Sequence, residues 1–457
     1  MIAQSTLSIL GDAIRVSEEA VEVLETGVLQ SPLMDRLIWT AAFGNQEEKA
    51  AARWIIWEVG QQVGVRPASI YDFYVARGKG EVPATFTVPA INIRGMTYDV
   101  ARSLFSKVVG LGVGAFVLEL ARSEMEYTDQ SPSEYFTVLL AAALREGYRG
   151  PVFLQGDHFQ AKAKAPGVAK EREEEGLRAL IIQAVGAGMY NIDIDTSTLV
   201  DLTKEKASDQ QRPNFSMCAG LSEHARSLEP MGITISLGGE IGEVGGHNST
   251  EEELSAFMEG YEGARGGRFV GLSKLSVQTG TSHGGVVLPD GTIEQVAVDF
   301  ETLKRLSKLA REEYSLAGAV QHGASTLPNE LFGKFVEAGT LEIHLSTGFQ
   351  NLTLDHPRFP AELLEKMYTW VDENLSGERK DGQTDEQFHY KLRKKAWGPF
   401  KKECWSIDKD ARADMRGSLA ERFGFLFEQL RVLNTKGLVE SYVVPPVVHR
   451  KLSDFSQ

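Results

Sequence analysis

PVFLQGDH, residues 151–158, is an apolar run that ends on glycine, aspartate and histidine. A short apolar run closed by a glycine is the pattern of a strand buried on both faces. Seven further runs share the texture: TVPAINI (87–93), AFVLEL (115–120), YNIDID (190–195), ITISLG (233–238), LSKLSVQ (272–278), AGAVQ (317–321) and TLEIHLS (340–346). They start 23 to 45 residues apart, room in each case for a strand, a helix and two loops. Strands alternating with helices make a parallel sheet. Eight of them point to closure as a (β/α)8 barrel, the TIM-barrel architecture, with an open doubly wound sheet as the alternative.

The flanks lack this rhythm. Residues 1–84 read as an N-terminal helical extension, in which Ala51, Ile55 and Val59 fall four apart with Trp54 on the same face. Residues 85–357 hold the barrel, and residues 358–457 read as a C-terminal helical extension of the same globular unit. Within the latter, SGERKDGQTDEQFHYKLRKK (376–395) looks like an exposed excursion. Leu419, Phe423, Leu426, Leu430 and Leu433 then recur at helical spacing, as in a helix packed on the barrel.

Composition narrows the function. A net charge of -15 argues against nucleic acid as a partner and fits an acidic, soluble surface. No apolar stretch approaches the length of a membrane span, and the N-terminus lacks the basic start and apolar run of a secretory signal. The two cysteines, Cys218 and Cys404, stand far apart in no paired motif, which suits a reducing, cytoplasmic setting.

Barrel enzymes gather their chemistry at the C-terminal ends of the strands. There stand Gly156-Asp157-His158 after the third run, Asp193 and Asp195 in the fourth, and Gly239-Glu240 through Gly246 after the fifth. Gly280 through Gly285, with His283, follows the sixth, and His322-Gly323-Ala324-Ser325 the seventh. Three of nine histidines, His158, His283 and His322, thus share one end of three strands. Three imidazoles suit a divalent metal, zinc first, and leave a coordination position open for substrate. Gly284, Gly285, Gly323 and Ser325 follow these histidines directly, and Ser346, Thr347 and Gly348 follow the eighth run. Glycine N–H groups and hydroxyls at this rim are the makings of a phosphate cradle, although no arginine or lysine stands within these motifs. Lys162 and Lys164 raise a Schiff-base alternative, but their Ala-Lys-Ala-Lys-Ala-Pro-Gly setting reads as a loop.

In this order the motifs resemble the class II, metal-dependent aldolases, the family of fructose-bisphosphate and tagatose-bisphosphate aldolase. The resemblance covers about residues 85–357. It rests on Asp-His after the third strand, Glu-x-Gly-x-x-Gly-Gly after the fifth, His-Gly after the sixth and His-Gly-x-Ser after the seventh. It implies that His158, His283 and His322 hold the catalytic metal, with Glu240 near it and Glu243 a rival. It implies that Asp157 handles the C4 hydroxyl proton, that Asn92 lines the site, and that Gly284, Gly323 and Ser325 bind phosphate. The family's Glu-Glu-Asp run after Gly-Gly is His247-Asn248-Ser249-Thr250 here, and its Asn-x-Asp-Thr on the eighth strand is His344-Leu345-Ser346-Thr347. These departures point to a divergent branch.

The resemblance implies a cytoplasmic lyase of carbohydrate metabolism, glycolysis included, assembled as a homodimer or homotetramer. Its substrate would be a phosphorylated ketose, fructose 1,6-bisphosphate first, cleaved through an enediolate to dihydroxyacetone phosphate and an aldehyde. A sugar-phosphate epimerase or isomerase on the same metal site and a non-catalytic aldolase-like subunit are the alternatives.

Overall fold

The computed structural model describes residues 6, 9–17, 20–242, 247–280 and 298–456. Eight parallel strands form the centre: β1 (Val88–Asn92), β2 (Val117–Ala121), β3 (Gly150–Gln160), β4 (Asn191–Asp195), β5 (Ser236–Gly242), β6 (Lys274–Val277), β7 (Ala319–Gln321) and β8 (Glu342–Leu345). Each pairs with the next, and β8 closes on β1 with Ile343 opposite Pro89 and Leu345 opposite Ile91. All eight apolar runs are strands, and the sheet is the closed barrel rather than the open alternative. Side chains alternate across each strand. Leu118, Leu120, Ile192, Ile194, Ile343 and Leu345 are buried on the helix side, while Glu119, Asp193 and Glu342 are buried on the inner side.

Two strands run well past their sequence bounds, β3 to Gln160 and β5 to Gly242, and both carry a bulge. From Gly156 to Phe159, β3 takes three steps while β4 takes two, from Ile192 to Ile194. From Glu240 to Gly242, β5 takes two steps while β6 takes one. The glycines of β5 mark close approach rather than a strand end. A Cβ at Gly238 would lie 2.3 Å from Asp193 Oδ1, and one at Gly242, whose φ is +70°, 2.4 Å from Ser197. Glu240 therefore sits inside β5 and not in a following loop.

The N-terminal segment holds the helices Pro32–Phe43, Gln46–Val63 and Tyr71–Gly78, a hairpin of Ile14–Val16 with Val21–Val23, and the strand Val65–Ala68. That strand pairs with the start of β3, Val65 opposite Gly150. Ala51, Trp54, Ile55 and Val59 are all fully buried. The far end of the chain closes over them. Trp54 Nε1 donates to the Arg450 carbonyl at 2.8 Å, Trp57 Nε1 to the Val448 carbonyl at 2.7 Å, and the Arg450 guanidinium lies 3.7 Å over the Trp57 ring.

The helix Lys409–Gln429 buries Leu419, Phe423 and Leu426 and sends Arg412 and Arg416 to Asp99 on the helix Thr97–Leu111. It stops before Leu430 and Leu433, where Arg431 and Asn434 take positive φ. The charged stretch 376–395 is exposed only in its first half. The helix Asp385–Leu392 then turns inward with Phe388 and Leu392 buried, and Arg393 grips Asp355 with N–O distances of 2.5 and 3.0 Å. Reading the whole stretch as an excursion missed this, because the apolar anchors are sparse among charges. No helix among the described residues is long and apolar enough to cross a membrane.

Candidate active site

The bulge in β3 builds the site. In a regular strand Asp157 and His158 would face opposite sides of the sheet. The extra residue, with His158 at φ +43°, turns both side chains into one cavity at the C-terminal end of the barrel. His322, just past β7, brings its ring centroid to 4.0 Å from that of His158. A ligand atom from each of Asp157, His158 and His322 lies within 4.8 Å of the others. His158 Nδ1 is also 3.2 Å from both Asp195 Oδ2 and Glu240 Oε2. Burial first, and then the Asp195 charge, push the Glu240 carboxyl up to about 7.

Asp157 is held at both oxygens. Asn92 Nδ2 donates to Oδ2 at 3.0 Å and to Glu124 Oε2 at 2.9 Å. His344 Nδ1 donates to Oδ1 at 3.1 Å. Burial would raise the Asp157 pKa, but the neighbouring His158, His344 and His322 hold it well below the usual carboxylate range. Asp157 is therefore ionised and oriented, the state a proton acceptor needs.

His344, in the sequence only a departure from the family's motif on the eighth strand, is a residue of the site. Its signal was alternation: Glu342 and His344 face inward while Ile343 and Leu345 face out. Nε2 of His344 is 3.2 Å from Glu342, and its Nδ1 is 3.2 Å from Glu119. Below it Lys274, fully buried, donates to Gln155 at 2.7 Å, Asp193 Oδ2 at 3.2 Å and Glu342 at 2.7 Å. Tyr74 donates to the other Glu342 oxygen. Burial alone would strip Lys274 of its proton, but Asp193 and Glu342 raise its pKa above the ordinary value.

The cradle residues line the same cavity, of about 830 Å³: Gly323, Ser325, Ser346 and Thr347. Gly323 has φ +72°. Ser325 Oγ accepts from Gly348 N–H at 3.2 Å, tying the turn after β7 to the helix Thr347–Leu354. Ser346 Oγ and Thr347 Oγ1 accept from Arg94 at 2.9 and 3.0 Å. Arg94 is a cation the motifs themselves lacked, and it stands two residues after Asn92. Lys162 lines the cavity too, ahead of a short hairpin of Ala163–Ala165 with Val168–Ala169. His283, Gly284, Gly285 and Glu243 lie outside the described residues.

The donor set fits a divalent cation. His158 belongs to two donor groups at the end of the barrel, one with Asp157 and His322 and one with Asp195 and Glu240, and Glu119, Asp193 and Glu342 lie just below with Lys274 between the last two. Imidazole and carboxylate donors gathered within ligand reach of one another are the set that suits such an ion.

A family model described as fructose-bisphosphate aldolase class-II matches residues 85–393. The chain belongs to the class II fructose-bisphosphate aldolase family. Its members' fold recurs in solved structures of low identity. A fructuronate-tagaturonate epimerase from Cohnella laeviribosi is 12% identical with a TM-score of 0.58, and the match covers 92% of this chain and 90% of that one. A protein described as a probable tagatose 6-phosphate kinase from Sinorhizobium meliloti is 16% identical with a TM-score of 0.52, covering 81% and 96%. A fructose-bisphosphate aldolase from Campylobacter jejuni is 16% identical with a TM-score of 0.46, covering 80% and 94%. No curated protein matches the chain.

Proposed function

We propose that the chain is a divalent-metal-dependent aldolase that reversibly cleaves the C3–C4 bond of a phosphorylated ketose. Fructose 1,6-bisphosphate is the first candidate, giving dihydroxyacetone phosphate and an aldehyde. The observation that carries this reading is the meeting of Asp157, His158 and His322 within 4.8 Å at the end of the barrel. His158 and His322, with Glu240 beside them and His283 expected to join, would hold zinc or another divalent ion, which supplies a Lewis acid for the substrate ketone.

The protein's own part is proton handling and placement. Asp157 takes the C4 hydroxyl proton. The C4 oxygen becomes the aldehyde, and the C3–C4 electron pair passes to C3 and is delocalised onto the C2 oxygen. A proton returned to C3 completes dihydroxyacetone phosphate. Asn92 and His344 hold Asp157 in one orientation throughout, which keeps the acceptor within hydrogen-bond reach of the hydroxyl. Gly323, Ser325, Ser346 and Thr347 are the proposed phosphate contacts. Assembly as a homodimer or homotetramer and work in the cytoplasm belong to the same proposal.

A second reading has an observation of its own. The likeness to the fructuronate-tagaturonate epimerase runs through both terminal extensions. Inversion at C4 can follow from the same cleavage, with re-addition to the opposite face of the retained aldehyde. Proton NMR of the metal-loaded enzyme with phosphorylated ketoses and ketohexuronates separates the two. Free triose phosphate supports the aldolase, and a C4-inverted ketose without fragments supports the epimerase. Unchanged spectra across both substrate classes would overturn both.

A further inference from the structure

Among the cations that line the cavity holding Asp157, two come from distant parts of the chain and flank Tyr127 and Glu124. Arg94 follows β1, and Lys394 follows the helix Asp385–Leu392. We infer that they form, with the hydroxyls of Ser346 and Thr347, the receptor for a terminal oxyanion of the substrate, phosphate or carboxylate. The proposed function supplies the idea that this anion is the end of a ketose; the receptor itself is argued from geometry.

Arg94 is set in place by three bonds. Nε donates to Glu124 Oε1 at 2.7 Å, Nη1 to Thr347 Oγ1 and Nη2 to Ser346 Oγ. A guanidinium has five N–H donors, so two remain for a ligand. The two hydroxyls accept from Arg94, and their own hydrogens are left to point elsewhere. Glu124 neutralises much of the Arg94 charge, so attraction for an anion depends on a further cation.

Lys394 is that cation. Its ammonium makes no hydrogen bond or salt bridge among the described residues and lies 5.7 Å from the centre of the Tyr127 ring. Burial, and then the Arg94 charge, push its pKa down to about 8. A partly buried ammonium whose nearby carboxylate, Glu124, is already bonded to Arg94 is left to be met by a ligand. The position is also rigid. Arg393, its neighbour, is locked to Asp355 and to Asn351 Oδ1 at 2.7 Å. Gly398 N–H donates to the Tyr127 carbonyl at 3.0 Å. Trp397 packs so closely on Gly95 that a Cβ there would lie 2.1 Å from the indole. The residue after Arg94 is thus the floor on which the Lys394 segment rests, and the two cations are held in fixed relation.

The test is equilibrium binding of inorganic phosphate and, separately, of glycolate to the metal-loaded protein by titration calorimetry. Lys394→Met is expected to weaken one of them by about tenfold or more, as for loss of a charge-assisted hydrogen bond. Lys394→Arg is expected to restore most of it. Loss for phosphate alone assigns a phosphate receptor, and loss for glycolate alone a carboxylate receptor. Unchanged affinity for both anions in a folded Lys394→Met protein overturns the inference. Since no turnover is measured, that result would leave the aldolase reading standing. Equally, weakened anion binding in a protein that cleaves no ketose would keep the receptor and remove the aldolase.

Discussion

Replacing Lys274 by methionine removes a fully buried ammonium from the inside of the barrel and keeps the volume of its stem. Asp193 and Glu342, 5% and 0% exposed at the side chain, are left charged beside it. Glu342 keeps Tyr74 and His344, while Asp193 is left with His344 Nε2 at 3.8 Å in place of the ammonium. Removing one partner of a buried pair costs about 3–5 kcal/mol. With an unfolding entropy of about 2 cal/mol/K per residue, a chain of 457 residues loses about 3–5 °C in its thermal midpoint. Scanning calorimetry at pH 7 reads this directly. The triple variant Lys274→Met, Asp193→Asn, Glu342→Gln is expected to regain most of the loss, because it removes the stranded charges as well. A drop of less than about 1 kcal/mol in the single variant would refute the reasoning. It would mean that the carboxylates take up protons at no cost, and that Lys274 does not hold the charges beneath His344.

Three other outcomes follow from the site. Asp157→Ala is expected to keep its metal and lose at least about a hundredfold in kcat, the lower edge of acid–base catalysis, measured by release of triose phosphate. Lys394 has a folded pKa of about 8 against an ordinary 10.5, so between those values the unfolded chain binds more protons and stability rises with pH. Solvent at the cavity mouth holds that gain to about 1–2 kcal/mol; denaturant unfolding from pH 7.5 to 10 should show the rise in the natural protein and not in Lys394→Met. Removing residues 443–457 exposes Trp54 and Trp57 and strands their indole N–H groups, and is expected to lower the thermal midpoint by several degrees, about what two lost buried hydrogen bonds and the apolar cover cost together.

The barrel was legible because each strand is a short apolar run with its turn beside it. Strand order follows from chain order in a parallel barrel, so the ends carrying Asp157, His158 and His322 could be located without coordinates. The bulges could not. Whether β3 presents Asp157 and His158 to the same side depends on one extra residue and on the φ of His158, which periodicity alone does not report. Inward polar residues such as Glu119, Lys274, Glu342 and His344 were present in the runs as alternate positions, but a strand read as apolar hides them. Arg94 lay within two residues of a named site residue and could have been found on that ground. Lys394 had no such signal, because its neighbours in space are about three hundred residues away in the chain. The proposed phosphate contacts show the same limit from the other side: the hydroxyls of Ser346 and Thr347 are legible in the sequence, and the guanidinium bonded to them is placed only by the fold.

The central claim is a divalent-metal centre at the end of the barrel. Metal analysis of the purified natural protein, of His158→Ala and of His322→Ala, all folded by circular dichroism, tests it most directly. The account predicts one tightly held divalent ion per chain in the natural protein and its loss in each histidine variant. Equal metal content in all three proteins, or none in any after exposure to zinc, would contradict it.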